Sequence, residues 1–165
     1  MRIETSRLYL RELRRTDTTD LMKVLSDEES MRYYPQPFSE AKVLRWIVWN
    51  LNNYQLFQHG LWAVIRKEDD CFLGDCGITL QEIEGLSLPE IGFHIRKEYC
   101  NQGYATEAAQ ACLTDCRQRF SYPAIYSYSL AENYASQKVA EKLGMCFFKQ
   151  YKEERATYHV YQQLF

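Results

Sequence analysis

The sequence predicts an α/β fold in a single domain spanning residues 1–165. Three observations carry that expectation. Segments with helical apolar spacing interleave with segments that alternate every second residue. No internal repeat, low-complexity tract or linker separates them. A chain of 165 residues, 46% of them hydrophobic, supplies one proper core rather than two.

Arg7 to Leu13 (RLYLREL) alternates as a strand, and Asp17 to Leu25 (DTTDLMKVL) has helix spacing behind a Thr16/Asp17 cap. Pro35 to Pro37 then turns the chain. Ser39 is an N-cap for a long helix in which Val43, Ile47 and Leu51 recur every fourth residue, with Gly60 as its stop. Leu61 to Arg66, Cys71 to Leu80 and Glu90 to Arg96 read as strands, separated by the turn EDD and the loop QEIEGLSLP, and can form an antiparallel meander. A helix follows in YATEAAQAC, then a strand at Ala124 to Leu130 and a helix at Asn133 to Leu143. Strands at Cys146 to Tyr151 and Tyr158 to Phe165 close the chain.

Charge and cysteine usage exclude several classes. A formal charge of -2 and a pI near 6.0 leave no basic excess to hold a phosphate backbone, so nucleic acid is not an expected partner. The six cysteines (Cys71, Cys76, Cys100, Cys112, Cys116, Cys146) show no CxxC pairing and no histidine cluster, so no metal site is expected. With no signal peptide and no apolar run long enough to cross a bilayer, a cytoplasmic protein with reduced thiols and no membrane association is expected.

The stretch CNQGYATEAAQAC places a glycine directly before a helix. First-turn amides lack intrahelical partners, and the helix dipole adds positive character there, so an anion is welcome. Gly103 removes the Cβ that would hold a ligand away, Ala105 stays small and Thr106 offers a hydroxyl. The alternative is a tight strand-to-helix turn with Ala105, Ala108 and Ala109 packed on the sheet. Neither G-x-x-x-x-G-K-[ST] nor G-x-G-x-x-G is present, which sets aside P-loop and dinucleotide folds.

IRKEYCNQGYATEA followed by NYASQKVAEKLGM resembles the acyl-CoA signature of the GNAT N-acetyltransferases, R/Q-x-x-G-x-G/A. It is most similar to the RimJ/RimL-like ribosomal-protein acetyltransferase branch, and TSRLYLREL and LPEIGFHI extend the similarity over nearly the whole chain. The resemblance implies a mixed, mostly antiparallel twisted sheet, flanked by helices and splayed between its fourth and fifth strands to admit acetyl-CoA. It places the pyrophosphate on the amides of Asn101, Gln102, Gly103, Tyr104, Ala105 and Thr106. Phe93, His94 and Ile95 would pair their backbone with the pantetheine arm, the His94 amide polarising the thioester carbonyl. Asn133 and Ser136 would lie beside the pantetheine, and Lys138 or Lys142 would reach the adenosine phosphate.

Two positions depart from the family pattern. Cys100 stands where arginine or glutamine is usual, and Ala140 where many members carry a tyrosine general acid. The resemblance gives Glu90 the role of general base toward the acceptor amine and Ser136 that of proton donor to the leaving thiolate. Alternation sets Glu90, Gly92 and His94 on one side of their strand. Glu90 can instead orient substrate while a water chain removes the proton, Ser136 can be a first-turn hydroxyl, and His94 can act as base through its side chain or be half-buried packing. Covalent transfer through Cys100 lacks a base or cation beside the thiol in EYCNQ. Tyr33, Tyr34, Trp46 and Trp49 either line the acceptor groove or pack.

The expected function is acetyl-CoA-dependent N-acetyl transfer, without a metal, to a primary amine, foremost a protein or peptide N-terminal α-amine. The alternatives are a small amine (amino acid, polyamine or aminoglycoside) and a noncatalytic acyl-CoA sensor. The expected assembly is a monomer or homodimer.

Overall fold

A computed structural model describes residues 2–165. One eight-stranded sheet runs through it in the order β1-β2-β3-β4-β5-β6-β8-β7. The strands are β1 (Arg2–Glu4), β2 (Leu8–Glu12), β3 (Leu61–Arg66), β4 (Phe72–Ile83), β5 (Leu86–Ile95), β6 (Ala124–Leu130), β7 (Cys146–Glu153) and β8 (Ala156–Leu164). The helices are α1 (Thr18–Leu25), α2 (Glu40–Phe57), α3 (Tyr104–Arg119) and α4 (Tyr134–Lys142). Every neighbouring pair is antiparallel except β5–β6. This is the mixed, mostly antiparallel GNAT-type architecture that the resemblance implied.

Each face of the sheet buries its own core. Alternate residues of the strands point to opposite faces, so Leu8, Leu10, Trp62, Val64 and Ile91 meet Ala108, Cys112 and Leu113 of α3 on one side. Ala63 and Ile65 meet Leu21 and Leu25 of α1 and Val43 and Ile47 of α2 on the other. Cys112 and Cys116, one turn apart, both face the core. None of the six cysteines is in a disulfide, and no described helix is long and apolar enough to cross a membrane.

Several boundaries differ from the sequence expectation, each for a local reason. The stretch QEIEGLSLP is mostly strand: β4 and β5 run on to a tight turn at Glu84 and Gly85, pairing Ile83 with Leu86. The short strand β1 was not foreseen, because three residues show no period. Asp17 sits in a 3-10 turn (Arg15–Asp17) ahead of α1, where its carboxylate takes two 2.8 Å bonds from Arg11 and one of 2.7 Å from the Arg14 amide. Ser39 does cap α2, accepting from the Lys42 amide at 3.2 Å. That helix ends on Gln58 in the left-handed conformation (φ 62°) rather than at Gly60.

Candidate active site

Among the described residues, β5 and β6 are the only parallel neighbours, and they touch at a single register pair, Glu90 with Tyr126. Beyond it the strands diverge. These are the fourth and fifth strands of the sequence expectation, renumbered because β1 adds an edge. The opening continues into a cavity of about 980 Å³ that contains Glu90, His94, Gly103, Ser127 and Ser136 among its walls. Parallel strands with crossing connections leave such a crevice at their carboxyl ends, a usual place for a ligand.

Main-chain direction along β5 decides what faces the opening. The Arg96 amide donates to the Leu73 carbonyl of β4 at 2.8 Å. The His94 carbonyl presses on Gly74, where a Cβ would come within 1.8 Å of that oxygen. Because successive residues of a strand direct their N–H and C=O groups to opposite edges, His94 bonds toward β4, and Phe93 and Ile95 aim their groups into the gap. The thioester donor expected from the His94 amide is therefore misplaced. The gap-facing amides belong to Phe93 and Ile95.

The loop ahead of α3 is left-handed at two positions. Asn101 (φ 60°) and Gly103 (φ 82°) are both left-handed, and Gly103 is the N-cap of α3. The first-turn amides of Tyr104, Ala105 and Thr106 have no preceding helical carbonyl to bond, and all three residues lie against the cavity. Gln102 differs: its carbonyl accepts from Arg7 Nη1 at 2.9 Å, and its side chain bonds the Glu98 carbonyl at 3.2 Å.

On the far wall, Asn133 Oδ1 accepts from the Ser136 amide at 3.2 Å, so Asn133 is the N-cap of α4. Ser136, Lys138 and Lys142 border the cavity from that helix. Ala140 is buried in the core and offers no acid. Cys100 lies at the cavity edge, where burial and nearby Glu98 push its thiol above the usual range, so it is held as a thiol.

On the opposite face of β5 stand Glu90 and His94. Burial drives the Glu90 carboxyl well above the carboxylate range, and only the Tyr128 amide hydrogen bond opposes that shift. His94 is bonded on both ring nitrogens, Nδ1 to Asp75 Oδ1 and Nε2 to Tyr34 Oη, each at 2.7 Å. Tyr33, Tyr34 and Trp46 line the cavity, whereas Trp49 packs on Trp46 with ring centroids 5.2 Å apart.

Sequence reasoning missed three contributors. Asp75 is wholly buried in β4, and the signal was a lone carboxylate inside the apolar run CFLGDCGITL. Arg7 and Glu107 pair across the cradle. Their signal lay in the motifs TSRL and GYATEA, which named residues without saying that they meet.

Residues 7–146 match the family described as an acetyltransferase (GNAT) domain. The chain belongs to the GNAT acetyltransferase family and is an acyltransferase. It is 32% identical to the uncharacterized N-acetyltransferase YnaD of Bacillus subtilis (strain 168), over 88% of this chain and 82% of that protein. Among solved structures, an acetyltransferase (GNAT family) from Bacillus anthracis superposes with a TM-score of 0.84 at 27% identity, covering 99% and 98% of the two chains. RimL, a ribosomal L7/L12 alpha-N-protein acetyltransferase solved with coenzyme A, shares the fold with a TM-score of 0.80 at 15% identity, covering 99% and 98%.

Proposed function

We propose that residues 1–165 form one catalytic domain that transfers an acetyl group from acetyl-CoA directly to a primary amine, in the cytoplasm and as a monomer or homodimer. GNAT enzymes use acetyl-CoA and an amine acceptor. The observation that carries the assignment to this cavity is the single-pair β5–β6 splay running into the Gly103 cradle. The amides of residues 103–106 would hold the pyrophosphate. The Phe93 and Ile95 backbone would receive the pantetheine, and Lys138 or Lys142 the adenosine phosphate. Acetyl-CoA supplies the activated acyl group, and this chain's residues position it and move protons.

Glu90 is the residue we assign to accept a proton from the acceptor nitrogen as the new C–N bond forms. Burial raises the proton affinity of this carboxylate, so its charged form is a stronger base than an exposed one. Ser136, in the first turn of α4 at the cavity wall, would donate its hydroxyl proton to the departing thiolate and be reprotonated by the proton that Glu90 takes up. Cys100, held as a thiol, is a poor nucleophile, which favours direct transfer over a covalent route.

For the acceptor we favour a protein or peptide α-amine, whose pKa near 8 makes it easier to deprotonate than a lysine near 10.4. A second candidate is a small polycationic amine. It is favoured by a cavity wall that includes Glu82, Glu90 and Glu153 beside Tyr128, Tyr151 and Tyr158. Coenzyme release measured with free-N-terminus peptides and with small amines tests both the reaction and the acceptor.

A further inference from the structure

The reaction proposed above removes two protons from the acceptor nitrogen, and Glu90 accounts for one. An amine arrives largely as an ammonium group near neutral pH and leaves as an amide with a single N–H. One of the two protons ends on the coenzyme sulfur; the other must reach solvent. An acceptor that binds as the ammonium therefore needs a second proton acceptor in the cavity.

Four residues from four parts of the chain meet there. Asp75, with no exposed surface, accepts from Trp46 Nε1 at 3.0 Å through Oδ2 and bonds His94 Nδ1 at 2.7 Å through Oδ1. A carboxylate accepts, so His94 carries its hydrogen on Nδ1 and presents a lone pair at Nε2. The Tyr34 hydroxyl, 2.7 Å away, donates to that lone pair. Trp46 also meets the imidazole edge-on, with centroids 6.0 Å apart, and so fixes the ring plane. Tyr34, His94 and Glu90 all border the same cavity.

We propose that Tyr34, His94 and Asp75 form a proton relay that takes the first proton from the acceptor ammonium. Tyr34 is the catalytic group that touches substrate; His94 receives through it, and Asp75 is the positioning residue. In the step, an ammonium N–H bond breaks and a bond to Tyr34 Oη forms, while the phenol's own proton moves from Oη to His94 Nε2. The result is a neutral amine, a neutral phenol and an imidazolium paired with Asp75. The imidazolium then returns its proton to water by the reverse path. Nothing is oxidised or reduced.

The other titratable groups acting on Tyr34 are Glu90 on β5 and Tyr128 on β6, besides Asp75 on β4, and from α2 the neutral Trp46 packs on His94. Tyr34 is 40% exposed as a residue, yet desolvation of its hydroxyl inside the cavity, then Glu90 and Asp75, raise the phenol above its usual value, so it remains the donor to Nε2 until a substrate proton arrives. The relay rests on the acyl-transfer assignment, and its test separates the two.

Trialanine, spermidine and kanamycin serve as probes, the fastest being followed between about pH 6 and pH 9. Tyr34→Phe should lower kcat/KM about 10²-fold near pH 7, with the deficit closing as the pH approaches the amine's own pKa and solvent supplies the neutral form. Asp75→Asn should show the same pH dependence, because an amide N–H on Nδ1 moves the ring hydrogen to Nε2. Tyr34→Phe with His94→Gln should be no worse than the weaker single variant. Acetyl-CoA affinity by calorimetry should stay unchanged in Tyr34→Phe, which loses one hydroxyl and keeps its fold.

A Tyr34→Phe enzyme with the wild-type profile overturns the relay alone. So does a pH-independent loss accompanied by weakened acetyl-CoA binding. A wild-type protein that binds acetyl-CoA and acetylates none of the probes overturns the acyl-transfer assignment, and the relay with it.

Discussion

Arg7 and Glu107 lie one hundred positions apart and form an ion pair, Nε to Oε2, at 2.6 Å. The same carboxylate accepts from Thr5 Oγ1 at 2.6 Å and from the Arg7 amide at 3.0 Å. The guanidinium reaches on to the Gln102 carbonyl and lies 4.4 Å over the Tyr104 ring. The turn between β1 and β2 is thus fastened to the first turn of α3. It holds the Gln102 carbonyl toward Arg7 while the amides after it remain free.

Replacing Arg7 with alanine should therefore weaken acetyl-CoA binding while sparing the chemical step. The side chain is nearly half exposed, so screening limits the loss to about 1 kcal/mol, roughly fivefold in Kd. Calorimetry beside kcat at saturating acetyl-CoA checks it; a fall in kcat with unchanged Kd would contradict the buttress role.

Gly103→Glu should abolish acetyl-CoA binding with the fold kept. The site has φ 82°, and a Cβ there would stand 3.3 Å from Arg7 Nη2, so the new carboxylate would sit beside that cation at the mouth of the cradle. Left-handed strain costs about 1–2 kcal/mol, which a domain of this size tolerates. Unchanged calorimetric affinity in a folded variant would remove the cradle from coenzyme binding.

Glu90→Gln should lower turnover about 10²- to 10⁴-fold and also stabilise the protein as pH rises. The sign follows from the raised folded-state value. A carboxyl whose pKa is higher in the fold than in the unfolded chain contributes stability below the unfolded pKa, and loses it as pH climbs through the folded value. The amide carries no such penalty. The Tm difference between variant and wild type should widen as pH rises above the ordinary carboxylate range, and a constant difference would show that the carboxyl titrates in the fold as it does in the unfolded chain.

Acceptor choice should favour a free N-terminus. In competition, peptides with free α-amines should be acetylated faster than their blocked counterparts bearing only lysine amines, consistent with the lower α-amine pKa. Faster transfer to spermidine than to every free-N-terminus peptide would instead assign the Glu82, Glu90 and Glu153 wall to a polycation.

The strands and helices were legible because their causes are local. Val43 and Ile47 on one stripe, Ser39 ahead of them, and the alternation of LWAVIR each report a conformation within a few residues. The glycine turn into α3 was legible for the same reason, since Gly103 and the helix behind it are neighbours in the chain. The family motif added the splay and the coenzyme.

What no local pattern contained was register. Asp75 and His94 are directly opposed because β4 and β5 turn at Glu84 and Gly85 rather than several residues away. A shift of one residue would move His94 to the other face of the sheet. Tyr34 reaches that histidine only because the chain between α1 and α2 crosses the cavity, and Arg7 reaches Glu107 only because α3 begins beside the turn between β1 and β2. The direction of the His94 amide, which the sequence expectation had reversed, follows from the β4 ladder. Composition and periodicity settle which segments are strand and which are helix. Pairing across the sheet, set by the total burial of both faces, decides which side chains share a site.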